Sequence, residues 1–261
     1  MNTTNNSLLK ASILALALTT YPVWAQDETV QEAAPVVESP ATMIKSAVDP
    51  WEGFNRSVFS FNLKADRYVL KPLAKAYVRL TPKFFRRGVD NALSNIMEIP
   101  SALNGVLQGN FRSAGHDTGR LLVNSTIGLA GILDVAQYMN LPQTDNEDFG
   151  QTLAVWGLKS GPYLVLPLLG PSTVRDTSAV PIDWYTDPKY YIEDVATKNA
   201  LRGASIINAR ANLMPLEKSI TGDKYVFFRE AYLQRRNFLI NNGEVEDSFG
   251  EEEDSDKDSG F

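Results

Sequence analysis

Residues 147–176 read EDFGQTLAVWGLKSGPYLVLPLLGPSTVRD, and the centre of this stretch suits neither an ordinary helix nor an ordinary strand. Leu164, Val165, Leu166, Leu168 and Leu169 are interleaved with Pro162, Pro167, Pro171, Gly157, Gly161 and Gly170. Each proline removes an amide donor and each glycine loosens the backbone, so the segment is expected to be apolar and irregular. Its backbone groups still need partners, and its side chains need an apolar cover. That cover is either the rest of the fold or something apolar that is not protein, with lipid as one candidate.

Outward from this stretch the chain is dominated by helical periodicity. Between Gly53 and Leu70, Phe54, Val58, Phe61, Ala65 and Tyr68 recur on one side of a helix, and Phe59, Leu63 and Leu70 fall nearly opposite. Arg56, Lys64, Arg67 and Lys71 fill the band between them. Such a helix either packs between other helices or lays one face on a membrane, with Trp51, Phe54, Phe59, Phe61, Lys64, Arg67 and Lys71 as the interfacial set. Arg56 to Arg87 holds nine basic residues and a single acid, Asp66. A basic run of this kind suits an anionic lipid surface, where each Lys or Arg contributes about 1 kcal/mol. Nucleic acid is not an expected partner of an exported chain.

Further helices are expected over 84–99 and 101–107, split by Pro100, and over 112–123, 127–139, 189–212 and 224–241. Asp223 caps the last of these and Asn242-Gly243 ends it. Few strands are convincing and no internal repeat is present. The reading is an all-α, single compact domain over residues 49–243.

The flanks differ from the body. Residues 1–25 carry Lys10, an apolar run from Ala11 to Leu18, and Val23-Trp24-Ala25 before Gln26, the pattern of a cleaved secretory signal. Residues 26–48 read as a linker. Residues 244–261 are an acidic tail expected to be disordered, with nine acids and one lysine from Glu244 to Asp258. The formal charge of −6 therefore comes from the ends, because residues 49–243 carry 22 basic against 18 acidic side chains. No run outside the signal reaches the roughly 18 apolar residues of a membrane-spanning helix.

Little catalytic chemistry is available. The chain contains no cysteine, which removes disulfides, thiolate nucleophiles and cysteine-based zinc sites from consideration. His116 is the only histidine and sits in a helical run. No nucleophile elbow, P-loop or dinucleotide fingerprint occurs. Asp145, Glu147 and Asp148 form an acidic group that does not match a calcium-loop template and suits the start of a helix. The chain is read as a non-enzyme without metal or cofactor.

Particular motifs carry a resemblance. Residues 49–56 read DPWEGFNR, and Lys71-Pro72, Leu107-Gln108-Gly109, Arg120, residues 124–128 (NSTIG) and Asp134-Val135-Ala136 follow. Residues 147–152 (EDFGQT), Gly161-Pro162-Tyr163, Leu166-Pro167, Gly170-Pro171-Ser172, Arg175-Asp176 and residues 229–232 (REAY) complete the set. With these motifs the chain resembles the MlaA (VacJ) family of outer-membrane phospholipid-transport proteins from about Asp49 to Gly243.

The resemblance implies a ring-like helical protein in the inner leaflet of the outer membrane, with an amphipathic channel. It implies removal of phospholipid misplaced in the outer leaflet, association with a trimeric porin, transfer to a soluble periplasmic carrier, and so the maintenance of lipid asymmetry. Ile132, Tyr163, Leu164, Leu166, Leu168 and Leu169 are the expected wall of the lipid passage. Gly157 and Gly161 are the expected hinges, against the plainer reading of static turns. Arg120 and Arg175 are candidates for the headgroup, although an Arg175–Asp176 ion pair answers equally to the sequence. Family members commonly carry a lipobox cysteine, which this chain lacks, so attachment is expected through the Trp51 to Leu70 region and a porin. An exported carboxylate-dependent hydrolase centred on Asp145, Glu147 and Asp148, and a porin-binding scaffold that moves no lipid, are the alternatives.

Overall fold

A computed structural model describes residues 48–220 and 222–243. The signal, most of the linker and the acidic tail lie outside the described residues. Among the described residues the chain is mainly helical. Helix α1 (Glu52–Ala65) passes through one π-type segment (Asp66–Leu70) into α2 (Lys71–Leu80). Then come α3 (Lys83–Leu107), α4 (Phe111–Thr126), the short α5 (Phe149–Val155), strands β1 (Tyr163–Leu166) and β2 (Gly170–Thr173), α6 (Val174–Thr186), α7 (Val195–Leu213) and α8 (Lys224–Ile240). Helix α8 follows the sequence closely. The Asp223 side chain accepts the Tyr225 N–H at 2.9 Å, and Asn242 and Gly243 take left-handed φ of 52° and 87°.

Three expectations are corrected. Pro100 does not split a helix; it lies buried inside α3. Its missing N–H leaves a gap in the ladder, while the Asn104 side chain donates to the Pro100 carbonyl at 2.9 Å. Just beyond it, Gly105 lies so close to α4 that a Cβ would stand 3.1 Å from the Ala114 nitrogen. The close α3–α4 pairing therefore supports the turn carrying Pro100.

Residues 127–139 are not a helix either. Leu129, Ala130 and Gly131 adopt left-handed φ of 53°, 57° and 86°, and only Ala136–Met139 forms a 3₁₀ turn. Asn124 organises this loop: its side chain accepts the Ala136 N–H at 2.9 Å and donates to Asp134 at 3.1 Å. The Gly131 N–H returns to the Asn124 carbonyl at 2.8 Å. Gly128 allows this closure, since a Cβ there would meet the Leu133 carbonyl oxygen at 2.2 Å.

The third correction concerns the opening stretch, whose centre is a regular antiparallel hairpin pairing Tyr163 with Thr173, Leu164 with Ser172, Val165 with Pro171 and Leu166 with Gly170. The Val174 N–H bonds the Pro162 carbonyl at 3.1 Å, and hydrogen-bonded pairs alternate in such a ladder. Val165 and Pro171 consequently form a pair that exchanges no N–H···O bond, the slot in which a proline loses nothing. The outer edge of β1 is completed by a side chain: Asn55 on α1 accepts the Val165 N–H at 2.9 Å and donates to the Tyr163 carbonyl at 3.1 Å. Two turns along α1, Asn62 bonds the Leu166 carbonyl at 2.9 Å and the Leu168 N–H at 2.8 Å. Two asparagines seven residues apart on one helix thus stand in for a third strand.

Candidate functional site

The inside of this domain is more polar than its outside. Among the described residues the buried apolar side chains are few and include four alanines, with Phe59, Tyr163, Val165 and Tyr225 forming the core cluster. Buried polar and charged side chains outnumber them and include Arg120, Arg175, Arg229, Arg236, Asp49, Glu98, Asp117 and Asp176. Meanwhile large apolar residues from nearly every element lie on the surface, among them Phe54, Phe61, Leu80, Phe84, Phe111, Ile127, Leu129, Trp156, Leu168, Leu169 and Trp184. Scattered exposed leucines are ordinary, but a surface this rich over a polar interior marks an apolar environment or partner.

Most of the buried charges are paired. Asp176, the last residue of the opening stretch, accepts from Arg175 at 2.8 Å, from Arg236 at 2.9 Å and from the Tyr232 hydroxyl at 2.6 Å. Burial raises its affinity for a proton, yet the bonds from Tyr232, Arg236 and Arg175 together hold its pKa below the usual value. Arg236 also bonds Asp148, the N-cap of α5. Gly150 makes room for this cluster, since a Cβ there would lie 2.6 Å from both Arg236 Nη2 and Asp176 Oδ1. A second cluster binds Arg120 to Glu98 at 2.7 Å and to Asp134 at 3.2 Å. In a third, Asp49 takes bonds from Arg229, Tyr225 and Asn55.

Asp183 faces the first cluster. Burial pushes its pKa up to about 6, the Phe149 N–H opposes that at 2.8 Å, and the charge of Asp148 adds to it. A folded-state pKa above the usual 3.8 means that the folded protein holds this proton more tightly than the unfolded chain. The resulting stability is complete below the unfolded pKa and is lost as pH rises through about 6. Asp183→Asn keeps an oxygen for the Phe149 N–H and removes the buried charge. It is expected to raise stability at pH 7.5 by about 2 kcal/mol and to flatten the stability profile between acid and neutral pH, as read by denaturant titration across that range.

A groove of about 540 Å³ is lined by Trp51, Phe54, Leu164, Val174, Thr177 and Ser178. It exists because β1 alternates: Tyr163 and Val165 turn into the core, and Leu164 and Leu166 turn the other way. Its walls are apolar except for the two hydroxyl residues on α6. Of the expected residues, the fold brings Trp51, Phe54 and Leu164 together here; Val174, Thr177 and Ser178 had no periodic signal to mark them. Leu166 is half-buried, Leu168 and Leu169 are exposed at the hairpin turn, and Ile132 stands on the separate 127–135 loop.

Four of the other expected site residues, Tyr163, Phe59, Arg120 and Arg175, lie where they cannot play the part read from sequence. Tyr163 and Phe59 are not wall or interface but core, with ring centroids 6.2 and 5.6 Å from Tyr225. Arg120 and Arg175 are 2% and 5% exposed and already engaged by protein carboxylates, so neither is presented to a phosphate. Phe61, Lys64 and Arg67 are on the surface, while Lys71 is half-buried against Glu217 at 2.6 Å. Gly157 and Gly161 have φ of 91° and 69°, conformations in which both already turn the chain.

The acids considered for hydrolysis are partnered: Asp145 with Arg235, Glu147 with Gln108, and Asp148 with Arg236. His116 is half-buried on α4, 3.3 Å from Asp117. Asp117 in turn accepts from Ser101 at 2.6 Å, so that serine's proton is directed away from the histidine.

A mainly helical domain with paired charges inside, apolar side chains outside and an apolar groove beside a small hairpin defines a class of lipid-associated protein. Residues 47–239 match the model of the MlaA lipoprotein family, and the chain belongs to that family. Its relatives include the intermembrane phospholipid transport system lipoprotein MlaA of Escherichia coli (strain K12), 34% identical over 76% of this chain and 80% of the relative. The protein of the same name in Haemophilus influenzae is 31% identical over 77% and 82% of the two chains. An uncharacterized protein of Rickettsia typhi is 35% identical over 74% and 78%. A solved chain from work on the structural basis for maintenance of bacterial outer membrane lipid asymmetry superposes with a TM-score of 0.64 at 33% identity, covering 74% of this chain and 99% of that one.

Proposed function

We propose that this protein moves phospholipid between the outer membrane and the periplasm, taking misplaced lipid from the outer leaflet and passing it to a soluble carrier. The observation that carries the reading is the inverted polarity: buried ion pairs under a surface of leucine, isoleucine, phenylalanine and tryptophan suit a protein seated among acyl chains. None of the described helices is long and apolar enough to cross a membrane. The exposed apolar side chains suit a seat among acyl chains in one leaflet, on the periplasmic side of the outer membrane. A trimeric porin is the proposed partner for the rest of the exposed apolar surface. The process needs no covalent step, so no catalytic group is assigned.

Within this reading the groove between Trp51, Phe54, Leu164 and Val174 takes an acyl chain, its size lying in the usual range for ligand pockets. The Thr177 and Ser178 hydroxyls mark its more polar side. Filling it from the exposed position with Ser178→Trp is expected to lower the phospholipid that copurifies with the protein several-fold and to raise phospholipid in the outer leaflet. Lipid extraction with mass spectrometry and an outer-leaflet labelling assay measure both. Unchanged copurified lipid in a folded Ser178→Trp protein would remove the groove from the pathway.

A further inference from the structure

The corner between α2 and α3, residues 80–87 (LTPKFFRR), is the part of the basic run where exposed cations and strongly exposed apolar side chains meet. Leu80 and Phe84, 80% and 77% exposed, are among the most accessible apolar side chains of the described residues, and Phe85 beside them is 55% exposed. Thr81 leaves the helix in an extended conformation and Pro82 restarts it, so the three apolar tips stand at a bend.

Around them are Lys75, Arg79, Lys83 and Arg87, all exposed. Of the other basic residues of the run, Arg56 pairs with Glu52 and Asp223, Lys71 pairs with Glu217, and Arg86 bonds the Val78 carbonyl at 3.0 Å, while Lys64 and Arg67 are exposed on the preceding helical segment. No acid occurs between Asp66 and Asp90. Those two are engaged elsewhere, Asp66 by Arg210 and Asp90 by Asn208 and Asn212.

The α2 helix shows how the corner is oriented. Ala74 is buried, with Lys71, Tyr77 and Val78 half-buried beside it. At 100° per residue the exposed arc then has Lys75 and Arg79 on one flank and Leu73 and Leu80 on the other. An apolar edge continuous with a cationic edge matches a bilayer surface, where the apolar tips enter the acyl region and the long cationic stems reach back to phosphates.

We infer that this corner is a docking element for a bilayer surface bearing anionic glycerophospholipid, recognised by Arg79, Lys83 and Arg87 while Leu80, Phe84 and Phe85 insert. The inference rests on the membrane reading above and adds to it a location and a headgroup charge. An acidic partner protein is the competing occupant. The uninterrupted positive charge beside three unshielded apolar tips favours the membrane, which supplies negative charge and hydrocarbon along one continuous boundary.

The full chain is tested by co-flotation with phosphatidylcholine vesicles and with vesicles containing about 30 mol% phosphatidylglycerol. Binding is expected to be tighter to the anionic vesicles and to weaken with added salt. Arg79→Gln/Lys83→Gln/Arg87→Gln should lose about five-fold per cation, on the order of 100-fold for the three, on anionic vesicles only. Phe84→Ser/Phe85→Ser should weaken binding to both vesicles while the circular dichroism spectrum is retained. If the wild type floats with both vesicles but the variants match it, the corner is overturned and the membrane reading stands. A wild type that floats with neither vesicle sinks both. Unaltered flotation with loss of a copurifying protein would assign the corner to that protein instead.

Discussion

Replacing Arg236 by methionine is expected to destabilise the domain by about 3 kcal/mol, because it breaks the buried pair with Asp176 and strips the partly exposed Asp148 of its cation. The guanidinium bridges Asp148 and Asp176, thereby tying the start of α5 to the start of α6 from α8. Removing it leaves Asp176 with Arg175 and Tyr232 only, and leaves Asp148 without its cation. Lysine supplies one point charge for a two-carboxylate fork, so Arg236→Lys should recover only part of the loss. Denaturant titration in a mild detergent provides the measurement. The cycle with Asp148→Asn separates the pair from the cost of orphaning the acid, since the double variant should lose much less than the sum of the singles. Additive losses would mean that the bridge contributes nothing beyond its packing.

The second large effect is expected at Asn55, whose amide serves three groups at once: the Asp49 carboxylate, the Tyr163 carbonyl and the Val165 N–H. Asn55→Leu keeps the branching at Cγ in a somewhat bulkier side chain and makes none of these bonds. It orphans two buried backbone groups at about 1–3 kcal/mol each and withdraws one donor from Asp49, for a loss of about 3 kcal/mol or more. Asn55→Asp should be no better, because a carboxylate cannot donate to the Tyr163 carbonyl and repels Asp49. At Asn62, which is only partly buried, alanine should cost about 1 kcal/mol. Hydrogen exchange at the Val165 amide gives a local readout: protection there should collapse in Asn55→Leu and persist in Asn62→Ala. Persistent Val165 protection in Asn55→Leu would show that the hairpin holds its own edge without α1.

These two residues also show where sequence reasoning reached and where it stopped. The helical character of residues 52–80 and 224–240 is legible because it is written in local spacing, in the Asp223 cap and in the Asn242-Gly243 end. The partner of an asparagine is not local. Asn55 and Val165 are 110 residues apart, and Asn55 looks like any polar residue on an amphipathic helix. The same limit explains the prolines. Pro171 is compatible with a strand only because it falls at a pair that exchanges no bond, a matter of register, and Pro100 is carried within α3 by its packing against α4.

The site was legible by composition more than by position. Apolar residues on opposite sides of α1 announce two apolar surroundings, but spacing does not say which side faces the core. Phe59 went in, while Phe54 and Phe61 stayed out. For Arg120 and Arg175 the sequence offered charge, and only the fold showed that Glu98, Asp134 and Asp176 already claim it. A signal for the Asp148–Asp176–Arg236 cluster was present in Gly150, a glycine at the start of a helix where a better helix former would otherwise be expected.

By itself, then, the sequence determined that the chain is mainly helical, that its body from 49 to 243 is mildly basic beside an acidic end, and that its motifs are those of the MlaA family. These properties depend on the order and spacing of neighbouring residues. Tertiary structure alone decided that the apolar stretch at 163–173 is a hairpin, that the charges lie inside and that a basic, apolar corner stands out at 80–87. Burial and pairing depend on which distant groups meet, and a charge is expensive inside a protein unless another charge is already there.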